Sequence, residues 1–256
     1  DLPGLETDAL NEAWPAWLQS CSRATSPWAT LCPEIRQLAN ASVQDQRRWI
    51  REKLQPYRVE SHNGQAQGKL TAYYEPRFDA SRLPRAGFNI PLYAPPQGLA
   101  KGTPWFSRQE IETQPSARQA LRGKALVYLA DPIDAMVLHI QGSGLINVTE
   151  PDGRQRTVRM AFAASNEHPY KSIGSWLLQQ DLLKDASWPG IKEWLDRNPS
   201  RVNELLWKNP RFIFFKEESP APAAAQQGPK GAQNVPLTAG RSIAIDRNSI
   251  PYGTPV

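Results

Sequence analysis

Proline sets the first limit on what this chain can become. It carries 24 prolines in 256 residues, about twice the usual ~5%, and they are dispersed along its whole length. Each proline fixes its own φ, removes a backbone donor and pushes the preceding residue out of the α region. Such a chain is expected to build many short strands and loops rather than long helices. Its length allows one or two domains with ample core.

Composition narrows the functional classes only slightly. The net charge is +5, which suits nucleic acid, anionic envelope polymers or no special partner. No block of about five Lys/Arg residues occurs, so a nucleic-acid reading is not favoured. The 9 tryptophans either contact carbohydrate or fill helix faces. No apolar run approaches the ~18 residues of a membrane span. Asp1 is not a natural start, so an N-terminal segment is expected to have been removed. Cys21 and Cys32 suit one local disulfide in an oxidising compartment, with two free cytosolic thiols as the rival.

Local signals divide the chain. Leu10, Trp14, Trp17, Leu18 and Cys21 share one helical face, with Pro15 expected to confine the regular part. Ser42 and Asp45 form a capping signal, and Trp49, Ile50 and Leu54 follow as a stripe closed before Pro56. Gly68–Pro76 is β-prone. Phe88–Tyr93, Ala125–Leu129, Met136–Gln141 and Thr157–Phe162 are candidate strands, and Asp152–Gly153 marks a hairpin turn. Helices are expected at Ile173–Leu183, Gly190–Asp196 and Arg201–Trp207, the last stopped by Asn209–Pro210. Phe212–Phe215 reads as a buried strand and 217–232 as a loop. Ser242–Asp246 is a short β-type run, followed by a turn at Asn248–Ser249 and a bend at Pro251–Thr254. Val235–Val256 therefore reads as an unfinished β-unit, since a lone hairpin is marginal in water. The strands that complete it are expected to follow.

Several chemistries fail on spacing. His62, His139 and His168 are isolated, and neither Cys-x-x-Cys nor His-Glu-x-x-His occurs, so no metal site is expected. Gln141–Gly142–Ser143–Gly144 lacks the first glycine of a nucleophile elbow. Gly228–Gly231 lacks the Gly-Lys-Ser/Thr tail of a phosphate loop. No cofactor is expected.

Two elements remain as binding candidates. Gln141–Gly144 follows an expected strand, and its glycines expose backbone beside an amide and a hydroxyl. It either hydrogen-bonds an extended polar ligand such as a sugar chain or is a tight strand-ending turn. On a strand, Thr71, Tyr73 and Glu75 share one face; they either line a polysaccharide groove or form a half-exposed strand. Acid/base work on glycosides needs carboxylates, and Glu75, Asp131, Glu150 and Asp246 are the candidates. Asp131 precedes Pro132 and reads as a turn residue capping its own backbone. Asp246 suits pairing with a backbone amide or an arginine. None of the four is assigned as the acid.

In order, Leu70–Pro76 (LTAYYEP), Asp131–Gly144 (DPIDAMVLHIQGSG), Asn166–Gly174 (NEHPYKSIG), Asn209–Phe215 (NPRFIFF) and Val235–Val256 resemble the signatures of the membrane-bound lytic transglycosylase A family. The resemblance runs from about Gly68 onward. It departs at Ala72, where the family usually has glycine, and at Asn166–Glu167, where it usually has Asn-Gly.

The resemblance implies a mainly β protein with some helices. Residues 1–76 and 210–256 would form a first domain, with N-terminal helices on an incomplete double-psi β-barrel, and 77–209 a smaller inserted β-barrel domain. It also implies cleavage of the β-1,4 bond between N-acetylmuramic acid and N-acetylglucosamine in peptidoglycan, giving 1,6-anhydromuramoyl ends through a single aspartate. That aspartate lies in a Gly-Gly-Ala-Ile-Lys-Gly-type segment, which this sequence does not contain, so no catalytic residue is assigned here and the aspartate is expected beyond Val256. Thr71, Tyr73, Gln141, Gly142 and Ser143 carry over as groove residues, and Asp246 only as a barrel residue. The implied partners are peptidoglycan glycan strands and an outer-membrane lipid anchor, for a monomer on the periplasmic face of the outer membrane. The alternative is a non-catalytic peptidoglycan-binding or scaffold protein.

Overall fold

The computed structural model describes residues 4–24, 27–61, 63–68, 74–219 and 227–256. They fall into two compact units, one of Asp1–Ala72 with Ala221–Val256 and one of Tyr73–Pro220. Among the described residues there are nine α-helices and six strands, a larger helical share than the sequence led us to expect.

In the first unit, α1 (Leu10–Cys21), α2 (Cys32–Gln37) and α3 (Val43–Lys53) pack around Leu10, Trp14, Ile35, Trp49 and Ile50. Three tryptophans fill this cluster, with Trp14, Trp17 and Trp49 meeting edge to face at centroid separations of 5.0–5.8 Å. Pro15 does not confine α1, which runs through it. The amide it lacks would have bonded Asn11, and burial of the Leu10, Trp14 and Cys21 face offsets that loss. Cys21 and Cys32 are disulfide-bonded, tying the end of α1 to the start of α2. Ser42 caps α3 by accepting from the Asp45 amide.

The strand expected at Ser242–Asp246 does not form. No described strand pairs with this segment, and Ile243 is 48% exposed; without a ladder partner an extended run gains little. Asp246 instead holds a turn, accepting from the Asn248 amide at 3.0 Å and the Ser249 hydroxyl at 3.2 Å. Arg241 anchors the segment through Asp8 and Glu12.

The second unit is built on one mixed sheet. Its strands are β1 (Arg77–Ser81), β2 (Ile90–Tyr93), β3 (Ala125–Leu129), β4 (Ser143–Thr149), β5 (Gln155–Ser165) and β6 (Ile213–Glu218), in the order β2-β3-β1-β4-β5-β6. Only β1 and β4 run parallel. The edge strands β2 and β6 approach each other, so the sheet curls into a nearly closed barrel. Leu92, Val127, Ile146, Val158, Met160 and Phe215 fill its interior. The β4–β5 hairpin turns at Asp152–Gly153 as expected, with Gly153 at φ 84°.

Helices α4 (Arg108–Thr113), α5 (Pro115–Ala120), α6 (Pro132–Gln141), α7 (Ile173–Gln179), α8 (Trp188–Arg197) and α9 (Val202–Trp207) complete the unit. The strand expected at Met136–Gln141 is the second half of α6. This run is buried on two sides, with Ala135 and Leu138 on the sheet and Ile133 and Met136 among α7–α9, and such a run carries no decisive period. The helix begins instead from its chemistry: Asp131 accepts from the Ile133 amide at 2.7 Å, and Pro132 occupies the first turn.

Candidate functional site

The Gln141–Gly144 element lies where α6 hands over to β4. Gly142 takes φ 82° and donates its amide to the Leu138 carbonyl at 2.8 Å, ending the helix in the left-handed conformation. The element is therefore a helix-to-strand turn and not the end of a strand. Gly144 has a different reason to be glycine: a Cβ there would lie 2.2 Å from Leu138 Cδ2 and 3.1 Å from the Pro76 carbonyl oxygen. The Leu145 amide donates to that same oxygen at 2.9 Å. Residues 74–76 are thus drawn directly beneath the turn.

Glu75 is fixed there by an ion pair. Arg159 on β5 donates through Nε and Nη2 to its two carboxylate oxygens at 2.7 and 3.0 Å. The side chains are 12% and 8% exposed. Arg159 stands opposite Leu145, and Ala161 opposite Ser143, in the β4–β5 ladder. Glu75 is therefore committed to a bidentate structural pair. Thr71 and Tyr73 lie outside the described residues.

What the turn presents is a set of uncharged polar groups. Gln141 and Gly142 are half-buried and Ser143 is buried. Among the described residues none engages the Gln141 amide or the Ser143 hydroxyl. The arrangement can donate and accept hydrogen bonds along an extended ligand, but it holds no carboxylate free for proton transfer. The other candidate acids are also occupied. Asp131 caps α6 and pairs with Lys192 at 3.2 Å. Glu150 binds Arg82, whose hydrogen bonds hold its carboxyl below the usual range, the opposite of what a general acid needs.

The sequence reading missed a buried polar network beside this site. Arg108 donates through Nη2 to His139 Nδ1 at 2.8 Å and to the Arg211 carbonyl at 2.9 Å. Its Nε reaches the Asn209 carbonyl at 3.3 Å. Burial pushes the Arg108 pKa down to about 10. Burial, and then the adjacent guanidinium, holds His139 well below its ordinary value. His139 is thus a neutral acceptor, taking a second hydrogen bond from the Ile213 amide at 3.3 Å.

Two asparagines complete the network. Asn166 donates to the Phe106 and Pro210 carbonyls and accepts from the Phe212 amide, all at 2.8–2.9 Å. Asn209 accepts from the Lys171 and Arg211 amides. The NEHPYKSIG and NPRFIFF segments are therefore joined through their leading asparagines, and their role is architectural. The sequence signal for this was an asparagine leading each proline-containing segment.

Comparison with known proteins places these features. The family model for the MltA specific insert domain matches residues 69–216. The membrane-bound lytic murein transglycosylase A of Vibrio cholerae is 33% identical over 200 residues, covering 75% of this chain and 50% of that protein. The chain therefore spans about half the length of the curated relatives it matches. Two solved structures are similar along nearly the whole chain. The lytic transglycosylase LtgG of Burkholderia pseudomallei has a TM-score of 0.63 at 37% identity, over 99% of this chain and 74% of that one. Escherichia coli MltA with bound chitohexaose has a TM-score of 0.73 at 26% identity, over 96% and 70%. With the insert-domain model spanning more than half of its residues, the chain belongs to the MltA family of membrane-bound lytic murein transglycosylases.

Proposed function

We propose that this chain supplies glycan-holding parts of a peptidoglycan lytic transglycosylase. The observation that carries the reading is the Gln141 amide and Ser143 hydroxyl, which no described residue engages, at the left-handed Gly142 turn, in a chain whose relatives carry that name. The E. coli relative, moreover, is known with bound chitohexaose. Thr71 and Tyr73 join Gln141, Gly142 and Ser143 as glycan contacts. The first unit belongs to a domain of N-terminal helices on a double-psi β-barrel, and the second unit, which includes β6, is inserted into that domain.

The reaction proposed cleaves the β-1,4 bond between N-acetylmuramic acid and N-acetylglucosamine. One aspartic acid gives its proton to the glycosidic oxygen as the bond to C1 breaks. The resulting carboxylate then takes the proton of the muramoyl C6 hydroxyl as that oxygen bonds to C1, so no water is consumed and a 1,6-anhydro end results. Every candidate carboxylate described here is engaged elsewhere, which supports placing that aspartate outside these 256 residues. The Cys21–Cys32 disulfide supports an oxidising, periplasmic setting, and the relatives' names support attachment to a membrane. Among the described residues no helix is long and apolar enough to cross one. We assign an outer-membrane lipid anchor and a monomer to the same reading.

Incubating the full-length protein with murein sacculi and weighing the soluble fragments tests the activity. Anhydro masses support it, reducing ends sink it, and binding without release favours the non-catalytic alternative. For the chain itself, Q141A and S143A are each expected to weaken chitohexaose binding about tenfold, the loss of one to two hydrogen bonds.

A further inference from the structure

A concavity of about 500 Å³ lies on the outer face of the barrel at the β2–β3 edge. That volume falls within the range of small-ligand sites. Tyr128 on β3 pairs with Ser81 at the far end of β1, five residues along the strand from Pro76 and so about 16 Å from the Gly142 turn. The concavity is therefore separate from the glycan site.

Its lining has a consistent chemistry. Buried Leu121 and half-buried Ala125, Tyr93 and Tyr128 make a largely apolar floor, and exposed Pro115, Arg118, Gln119, Arg122 and Gly123 stand around it. The two arginines are four residues apart, about one turn, across the end of α5. No carboxylate lines the concavity. Arg118 gives one N–H to the Glu112 carbonyl and keeps its remaining donors. The Arg122 guanidinium and the two phenol hydroxyls engage no described residue. Burial, and then the neighbouring Tyr128, raises the Tyr93 pKa, so this phenol stays a donor. Two guanidiniums and two phenol hydroxyls, with no carboxylate among the lining residues, favour a small anion carried on a short aliphatic body. A bare inorganic anion would use the rim and leave the floor uncovered.

We propose that this concavity binds the terminal carboxylate of a short peptide of small apolar residues, as on the peptide stems of peptidoglycan. The assignment of the stem as the source rests on the function proposed above. Arg118 and Arg122 hold the carboxylate, Tyr93 and Tyr128 donate to it, and Leu121 and Ala125 meet the methyl groups. The protein would thus read peptide and sugar at two separate places.

The test is an NMR titration of the chain with N-acetyl-D-alanyl-D-alanine, its C-terminal amide and inorganic phosphate, following the arginine Nε–H and tyrosine ring signals. The free-acid peptide is expected to move the signals of Arg118, Arg122, Tyr93 and Tyr128, with at least tenfold weaker binding for the amide. R122Q, which breaks no contact to a described residue, is expected to reduce affinity at least fivefold with unchanged melting temperature, and R118Q/R122Q to reduce it further, whereas Q141A leaves it unaltered. Equal affinity for phosphate, equal affinity for the amide, or no shift at millimolar peptide overturns the proposal. A parallel chitohexaose titration separates the two readings. Peptide binding without chitohexaose binding keeps this site and removes the glycan assignment; the reverse removes this site alone.

Discussion

Gly144 and Leu138 are packed so closely that a methyl group on the glycine would come within 2.2 Å of the leucine Cδ2. Leu138 is fully buried and has little room to yield, and the Pro76 carbonyl bars the other side at 3.1 Å. G144A is therefore expected to destabilise the chain by about 1–3 kcal/mol through overpacking. Gly142 differs: a Cβ there meets nothing within 4 Å, but φ is 82°. G142A is expected to cost about 1–2 kcal/mol, and G142N less, because asparagine tolerates the left-handed region. Urea denaturation of the three variants checks this. A G142N no better than G142A would show that strain is not the reason for the glycine.

Glu75 and Arg159 are both largely withdrawn from water, so removing the carboxylate takes the bidentate partner from a buried guanidinium. E75Q is expected to lose about 3–5 kcal/mol, and E75Q/R159M to regain much of that. A double-mutant cycle by chemical denaturation measures the coupling. Additive losses would mean that the pair does not act as a unit.

The parts of the fold legible in the sequence were those fixed by local chemistry. Ser42 with Asp45 started a helix, and Asp152–Gly153 turned a hairpin, because cap and turn geometry are written in a few adjacent residues. Asp131–Pro132 is an equally local helix start, yet the run after it reads as a strand. Its period is erased because neighbours cover it on both sides. β4 was hidden for a related reason, since it is covered by β1 as well as β5 and its pairing with β1 is nonlocal. At the site, the polar character of Gln141–Ser143 was visible. The commitment of Glu75 was not, because its partner lies 84 residues away.

The His139 environment predicts a pH dependence. Burial holds its folded-state pKa well below the ordinary value, so the unfolded chain takes up a proton near pH 6.5 that the folded chain does not. The neutral imidazole's contribution to stability is complete above that value. It is lost as pH falls, by about 1.4 kcal/mol per pH unit, until the buried ring itself protonates. H139Q offers a carbonyl oxygen to the same donors and is expected to flatten the profile between pH 7 and 5, even at lower absolute stability. Parallel profiles for the two proteins would refute the assignment.

Glu167 takes φ 59°, a left-handed backbone that glycine adopts freely and glutamate does not. Its carboxylate offsets the strain by accepting from the Ser165 hydroxyl at 2.6 Å and the Gly102 amide at 2.9 Å. These hydrogen bonds hold its pKa below the usual range. The segment they secure leads directly from Asn166, which joins three backbone groups in the buried network. E167G is expected to relieve the strain but release the Gly102 loop, while E167A suffers both strain and lost bonds. The expected order of melting temperatures is wild type, then E167G, then E167A, with the last two separated by about 1 kcal/mol. Amide exchange at Gly102 should accelerate in both variants. If E167G equals or exceeds the wild type and Gly102 exchange is unchanged, the carboxylate is not what offsets the left-handed backbone at this position.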